Sequence, residues 1–205
     1  MPITALGLNC TLSRSPTASS TQKMLDLVLE ALAERDVRCD SVRLVDCNIP
    51  AGVQASRGAG DDWPSIRAAI RRADLLVVAT PIWMGQGSSL MQRMFERMDA
   101  TFGEENDQGQ LWTFSKVAIA CVVGNEDGAH HVCSQAYQAL TDLGFTIPGG
   151  GGAYWVGTAM GDKDFKDLAS IPRNLRKNIR ILATHAVHLA GLLQSRPYPP
   201  PGRPS

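Results

Sequence analysis

Thr80-Pro-Ile-Trp-Met-Gly-Gln-Gly-Ser-Ser-Leu-Met-Gln-Arg-Met-Phe-Glu-Arg-Met-Asp99 follows directly on Asp74-Leu-Leu-Val-Val-Ala79. The short continuous apolar run, bounded by turn residues, reads as a fully buried parallel strand. A proline, two glycines and a serine pair come next, and then an amphipathic helix. A strand that ends in a Gly-rich, aromatic-bearing loop at a helix start is where open α/β sheets take ligands. Trp83 stands at the tip of that loop, where a flat ligand would account for a large aromatic.

The same alternation runs along the whole chain. Strands are expected at Ile3–Asn9, Asp40–Val45, Leu75–Ala79 and Lys116–Val123, with a short fifth at Phe145–Pro148. Helices are expected at Ser20–Arg35, Asp62–Ala73, Ser88–Phe102, Ala129–Leu143 and Ile171–Leu193. Leu25, Val28, Leu29 and Leu32 fall at core spacing in the first helix. Strand and helix in alternation mean a parallel sheet covered on both faces, an α/β/α sandwich. Right-handed crossovers then favour a five-stranded sheet in the flavodoxin-like order 2-1-3-4-5. One domain over residues 1–195 is expected, with a Pro-rich, extended and poorly packed tail at 196–205. Gly103–Thr113 reads as a polar, mobile excursion.

Composition narrows the class of function. The chain has 205 residues and 22.1 kDa, 44% of them hydrophobic, enough for one good core. Twenty basic residues balance twenty acidic ones, which argues against nucleic acid or an anionic membrane as the main partner. No apolar run is long enough to span a bilayer. Met1-Pro-Ile-Thr-Ala-Leu-Gly-Leu8 lacks the charged start of a signal peptide. Five cysteines without a CxxC pair read as reduced thiols, and the expected location is the cytoplasm.

In the expected order, three loops converge on one crevice. The loop after the first strand, Thr11 to Thr21, has eight residues bearing a hydroxyl or a guanidinium and ends as a helix N-terminus. Hydroxyls, backbone N–H groups and the helix dipole together suit a phosphate. Neither GxxxxGK[ST] nor GxGxxG is present, so a single terminal phosphate fits better than a triphosphate or pyrophosphate. The structural alternative is a polar loop in which Ser20 merely caps the helix. In the loop after the third strand, Trp83 and Met84 are placed to border a planar ring, with Gly85 and Gly87 admitting close approach. Trp83 as a core or oligomer contact is the alternative. In the loop after the fourth strand, Gly124 and Gly128 allow close backbone approach, and Asn125 and Glu126 offer polar groups to a heterocycle edge. Glu126-Asp127 is no EF-hand, and adjacent His130 and His131 point about 100° apart on a helix, so no metal site is expected. A Ser–His–Asp hydrolase is disfavoured because Gly-x-Ser-x-Gly is absent.

Together these loops resemble the flavodoxin-like NAD(P)H-dependent FMN reductases, above all the WrbA-type multimeric quinone reductases. Thr80-Pro-Ile-Trp-Met-Gly85, Ser88-Ser89 and the helix Arg93-Met-Phe-Glu-Arg-Met-Asp99 resemble that branch's flavin loop. Ser20-Thr21 resembles its helix opening, and Val123-Gly-Asn-Glu-Asp-Gly128 its third flavin loop. The resemblance implies that Thr11, Ser13, Ser20 and Thr21 hold the phosphate of FMN. It implies that Pro81, Ile82, Trp83, Met84 and Gly85 line the ribityl chain and ring, with Gly124, Asn125, Glu126 and Gly128 on the far side. Tyr154 and Trp155, after glycines 149–152, would cover the ring or a nicotinamide. The implied function is an FMN-dependent oxidoreductase using NADH or NADPH to reduce a quinone, free flavin or similar small acceptor. A flavodoxin-type electron carrier is the alternative. A homodimer or homotetramer is expected, with Trp112, Phe114, Tyr154 and Trp155 as interface anchors. The usual Gly-Ser-x-Arg start is replaced by Cys10-Thr-Leu-Ser13.

Overall fold

The computed structural model describes residues 2–159 and 161–200. In chain order the elements are β1 (Thr4–Asn9), α1 (Ser20–Ala33), β2 (Arg38–Arg43), α2 (Trp63–Arg72), β3 (Leu75–Trp83) and β4 (Gln86–Gly87). They continue with α3 (Ser89–Met98), β5 (Val117–Gly124), α4 (Ala129–Asp142), β6 (Gly152–Val156) and α5 (Arg173–Ser195). Five strands run parallel in the spatial order β2-β1-β3-β5-β6, and the short β4 pairs antiparallel with the end of β3. Counted without β4, this is the expected order 2-1-3-4-5; β4 makes the sheet six-stranded.

Period-2 alternation sends the side chains of the central strands to two cores. Leu76 and Val78 of β3 pack with Ile66 and Ile70 of α2, Met91 and Met94 of α3, and Val132 and Leu140 of α4. Val77 and Ala79 pack on the other face with Leu25 and Val28 of α1 and Ile179 and Leu182 of α5. The chain leaves β1 toward β2 on one side and reaches β3 on the other. That reversal opens a crevice at the carboxyl ends of β1 and β3.

Several elements depart from the sequence expectation. β3 runs on to Trp83 and turns back at once through Met84 and Gly85, with φ of 53° and 72°. Two positive φ values in a two-residue loop are the type I′ hairpin geometry. The loop expected after β3 is therefore largely a hairpin. The second strand begins earlier, because the Arg38 N–H bonds the Ile3 carbonyl at 3.0 Å. The expected fifth strand at Phe145–Pro148 is reduced to a single bridge between Val117 and Thr146. Pro148 has no N–H for a ladder, and the edge strand is β6. A Cβ at Gly152 would lie 2.7 Å from the Ala120 carbonyl oxygen, so only glycine lets β6 start there.

The segment expected to be a mobile excursion is tied down, and residues 196–200 of the tail, exposed and without regular structure as expected, are nonetheless hydrogen-bonded to the body. Glu104 pairs with Arg67 at 2.6 Å and Arg71 at 3.3 Å, and both guanidinium groups stack on Trp112 at 5.4 and 5.7 Å. Buried Thr113 donates to the Leu143 carbonyl. In the tail, Tyr198 bonds Ser115 through its N–H at 2.9 Å and Gln110 through its carbonyl at 2.9 Å; its hydroxyl meets Thr146 at 3.0 Å. Residues 201–205 of the expected tail lie outside the described residues.

The long connection from β2 to α2 is anchored by charge. Arg97 of α3 bonds Asp61 at 2.6 Å, and both side chains are at most 1% exposed. Its other donors reach the carbonyls of Gln54 at 3.0 Å and Pro50 at 2.8 Å. Burial by itself pushes the Asp61 carboxyl up, but hydrogen bonds from Arg97 and from the N–H groups of Arg57 and Trp63 outweigh it and hold the group below the usual range. A carboxyl lowered on folding stabilises the fold above its unfolded pKa of about 3.9, and that stabilisation is lost as the pH falls through the folded value. Arg97→Met leaves a buried carboxylate without its partner and is expected to cost about 3–5 kcal/mol in urea unfolding at pH 7. The cost should shrink toward pH 3. A loss below 1 kcal/mol at neutral pH would refute the anchoring role.

Candidate functional site

The crevice is a cleft of about 430 Å³ built from four segments. The first is the loop after β1. Buried Asn9 accepts from the Thr11 N–H at 2.9 Å and donates to Gln22 at 2.7 Å, tying the loop to α1. The Arg43 guanidinium reaches over from the end of β2 to the carbonyls of Ser13 at 3.4 Å and Thr17 at 3.0 Å. Asp46 accepts from both the N–H and the hydroxyl of Ser15, at 3.0 and 2.6 Å. The Ser15 hydroxyl, ahead of the Ser15 N–H, keeps the Asp46 carboxyl below its ordinary range. Ser19, and not Ser20, caps α1, accepting from the Gln22 N–H at 3.2 Å. The Ser20 and Thr21 N–H groups have no acceptor within the helix, as for any first turn.

The hairpin after β3 forms the second wall. Pro81, Ile82, Trp83 and Met84 line the cleft, with Trp83 57% and Met84 89% exposed at its mouth. Buried Ser88 locks this wall to the first. Its hydroxyl donates to the Cys10 carbonyl at 2.6 Å and accepts from the Met91 N–H at 3.3 Å, while its own N–H bonds Thr80 Oγ1 at 3.0 Å.

The third wall follows β5, where Val123, Gly124, Asn125 and Glu126 face the cleft. A Cβ on Gly124 would sit 2.8 Å from the Cβ of Ile82, so glycine lets the two walls close on each other. Asn125 Nδ2 donates to Asp164 Oδ1 at 2.8 Å. A carboxylate only accepts, which fixes the amide orientation. Asn125 Oδ1 is then a buried acceptor with no partner, packed against Gly157, where a Cβ would collide with it.

The fourth wall is the turn Phe165–Asp167 with Asp164 before it. Phe165 is fully buried against Trp155 at 5.3 Å. The Lys166 N–H donates to Ser20 Oγ at 3.1 Å, and Lys23 Nζ holds the Lys166 and Leu168 carbonyls at 3.0 Å each.

Of the residues singled out from sequence, Thr11, Ser13, Ser20, Thr21, Pro81, Ile82, Trp83, Met84, Gly124, Asn125, Glu126 and Trp155 meet in this one cleft. Gly85, Gly128 and Tyr154 lie outside its lining. A Cβ on Gly128 would be 2.9 Å from the Gly85 carbonyl oxygen, so glycine at 128 lets loop pack on loop, while Gly85 supplies the positive φ of the hairpin turn. Tyr154 points away along β6, where its hydroxyl meets His130 at 3.0 Å. The glycines before it enter a sheet edge and are no flap over the cleft. Sequence reasoning missed Leu12, Ala18, Ser19, Val123, Asp164, Phe165 and Lys166. Asp164 with Asp167 three residues on is a capping-box spacing that marks a helical turn, but nothing local links it to Ser20.

The arrangement offers donors and a flat slot, without an activated nucleophile. Cys10, beneath the first loop, is fully buried, and burial pushes its thiol far up.

Known proteins place this geometry. Residues 3–160 match the family model of the NADPH-dependent FMN reductases. The chain belongs to that family. It is 34% identical, over 97% of its length and 81% of the relative's, to 8-demethyl-8-aminoriboflavin-5'-phosphate synthase of Streptomyces davaonensis. Among solved structures, RosB with bound intermediate 8-demethyl-8-formylriboflavin-5'-phosphate matches with a TM-score of 0.87 and 33% identity, over 96% of this chain and 82% of that one. A flavodoxin from the domain Archaea matches with a TM-score of 0.57 and 10% identity, over 91% of this chain and all of that one, which marks the fold as flavodoxin-like. A flavin-related oxidoreductase is the activity class of this FMN reductase family member.

The residues present fit FMN. The hydroxyls and N–H groups at the start of α1 suit one terminal phosphate, and Trp83 and Trp155 on the lining suit an aromatic ring. FMN is therefore expected to bind and riboflavin to bind far more weakly. Each charge-assisted hydrogen bond lost with the phosphate is worth about 1.5–3 kcal/mol, so several decades of affinity separate the two ligands. Equal affinities in a fluorescence titration would sink the phosphate assignment.

Proposed function

We propose that this protein holds FMN in the cleft and passes electrons from NADH or NADPH to a small acceptor, a quinone or free flavin, in a ping-pong cycle. The observation that carries the reading is one cleft that joins the donor-rich start of α1 to an exposed aromatic mouth at Trp83. Bound FMN would supply the redox chemistry. The chain's own part is positional. Ser20, Thr21 and the first turn of α1 hold the phosphate, and Arg43, Asp46 and Asn9 hold the loop that presents those groups. Ile82 and Gly124 set the width of the slot. Trp83 and Met84 stand exposed at the mouth, leaving room for a nicotinamide to approach within the roughly 3–3.5 Å that hydride transfer needs. A cytoplasmic location goes with the five free thiols.

A second reading rests on the relatives that act on or hold flavin derivatives altered at position 8. In it, the flavin phosphate in the cleft is the substrate, and the dimethylbenzene end faces the reacting partner.

The association anchors offered from sequence change. Trp112 is stacked under two arginines, Trp155 lies in the cleft and Phe114 is half-buried, so Tyr154 remains, with Trp83 and Met84 beside the mouth. A homodimer or homotetramer that covers this apolar rim is part of the proposal. A mass near 22.1 kDa by light scattering, unchanged by FMN, would remove it.

Mixed anaerobically with NADH or NADPH, the FMN-loaded protein is expected to lose its flavin colour and to regain it when a quinone is added. If both nicotinamides fail while dithionite succeeds, the protein is an electron carrier. If flavin recovered after aerobic turnover has a changed mass, the second reading holds.

A further inference from the structure

Among the described residues that line the cleft, Lys166 is the one basic side chain, whereas Glu126 and Asp164 are both acidic. A phosphomonoester dianion therefore enters a slot with more acid than base on its walls. Neutral donors at the start of α1 attract it, but the lining carboxylates repel it. The position of Lys166 resolves this conflict. Its backbone N–H is bonded to Ser20 Oγ at 3.1 Å, which roots the side chain at the N-terminus of α1. The phosphate end of the cleft is thus within reach of a lysine stem.

In the structure, the ammonium rests on Asp164, with Asp167 3.6 Å away, and the side chain is 32% exposed. The two carboxylates are held by their surroundings. Asp164 Oδ1 takes the Asn125 amide at 2.8 Å, and Asp167 Oδ2 takes the Asp164 N–H at 3.3 Å. Lys23 pins the backbone of the turn from α1 through the Lys166 and Leu168 carbonyls. The movable member of the group is the ammonium. It has three donors and can keep Asp164 on one while offering another to a phosphate.

Building on the flavin reading above, we infer that Lys166 is the specificity-determining residue by which this protein tells a phosphorylated flavin from an unphosphorylated one. Asp164 and Asp167 park the ammonium beside the cleft. The phosphate draws it over and completes an ion pair, which neutral hydroxyls cannot supply. Riboflavin, without the phosphate, meets the same walls and gains nothing from Lys166.

The test compares wild type, Lys166→Met and Lys166→Arg in fluorescence titrations with FMN and with riboflavin, at low and at high salt. Lys166→Met is expected to weaken FMN roughly ten- to a hundredfold, the worth of one charge-assisted contact, and to leave riboflavin within about twofold. It should also flatten the salt dependence of FMN binding. Lys166→Arg keeps the charge and restores most of the loss. A purely structural role for the turn predicts equal weakening of both flavins, unaltered salt dependence and no rescue by arginine, and that pattern would overturn the assignment while leaving the flavin reading in place. A wild-type protein that binds neither flavin would overturn both.

Discussion

Ser88 has its hydroxyl between two parts of the chain that no sheet ladder joins. Cys10 is the first residue past β1, and its carbonyl is buried away from water. Without the Ser88 hydroxyl at 2.6 Å, that carbonyl would pay the cost of a missing partner, about 1–3 kcal/mol. The same oxygen caps α3 by accepting from Met91. One residue, through its hydroxyl and its N–H, therefore fixes the start of a helix, the end of a hairpin and the root of the loop after β1. The hairpin makes this possible, since its turn at Met84-Gly85 brings the Ser88 N–H back onto Thr80 Oγ1, eight positions earlier. The distance from the start of α1 to the aromatic mouth follows from that hydrogen-bonded geometry. A site set in this way is rigid before a ligand arrives, which is the condition under which binding energy goes into orientation.

The glycines of the site have more to do with the chain than with the ligand. Gly124 is needed against Ile82, and Gly128 against Gly85. A glycine in a loop signals a close approach, but it does not say what approaches. For this reason the sequence places the crevice correctly and misjudges part of its lining. Thr11, Trp83 and Asn125 are legible because each lies within a few residues of a strand end, where periodicity and topology locate it. Lys166 is illegible because the contact that places it, to Ser20, spans 146 positions and uses a backbone N–H that carries no side-chain signature.

The edge strand shows the same limit from the other side. Gly149 to Gly152 reads as a mobile span, and Phe145–Pro148 as a strand, when local propensity alone is considered. Two tertiary facts reverse the reading. The Ala120 carbonyl leaves no room for a Cβ at Gly152, and β5 offers an open edge that Gly152–Val156 fills in parallel register. Asn178 of α5 then holds the Gly152 carbonyl at 3.1 Å. The glycine run is the bend that delivers Trp155 to the cleft, and through Phe165 it also supports the turn that bears Lys166. Flexibility in the unfolded chain becomes a fixed corner in the folded one.

Charge enters the site late and sparingly. The chain as a whole is neutral, so long-range steering of an anionic ligand is weak. Attraction has to come from short-range groups: helix N–H donors and hydroxyls at the start of α1, and one ammonium that rests on Asp164 beside them. Arg43 and Asp46 carry formal charges, yet both spend them on the backbone and hydroxyls of the first loop. Outside the cleft lining, they shape the cradle without competing for what it holds. Met84 adds a different kind of constraint. A non-glycine residue at φ 53°, 89% exposed, costs on the order of 1–2 kcal/mol with no packing in this chain to offset it. Asparagine or glycine would serve the hairpin better. The hairpin alone therefore gives no reason for methionine; a flexible apolar side chain at the mouth of the cleft, facing whatever docks there, does.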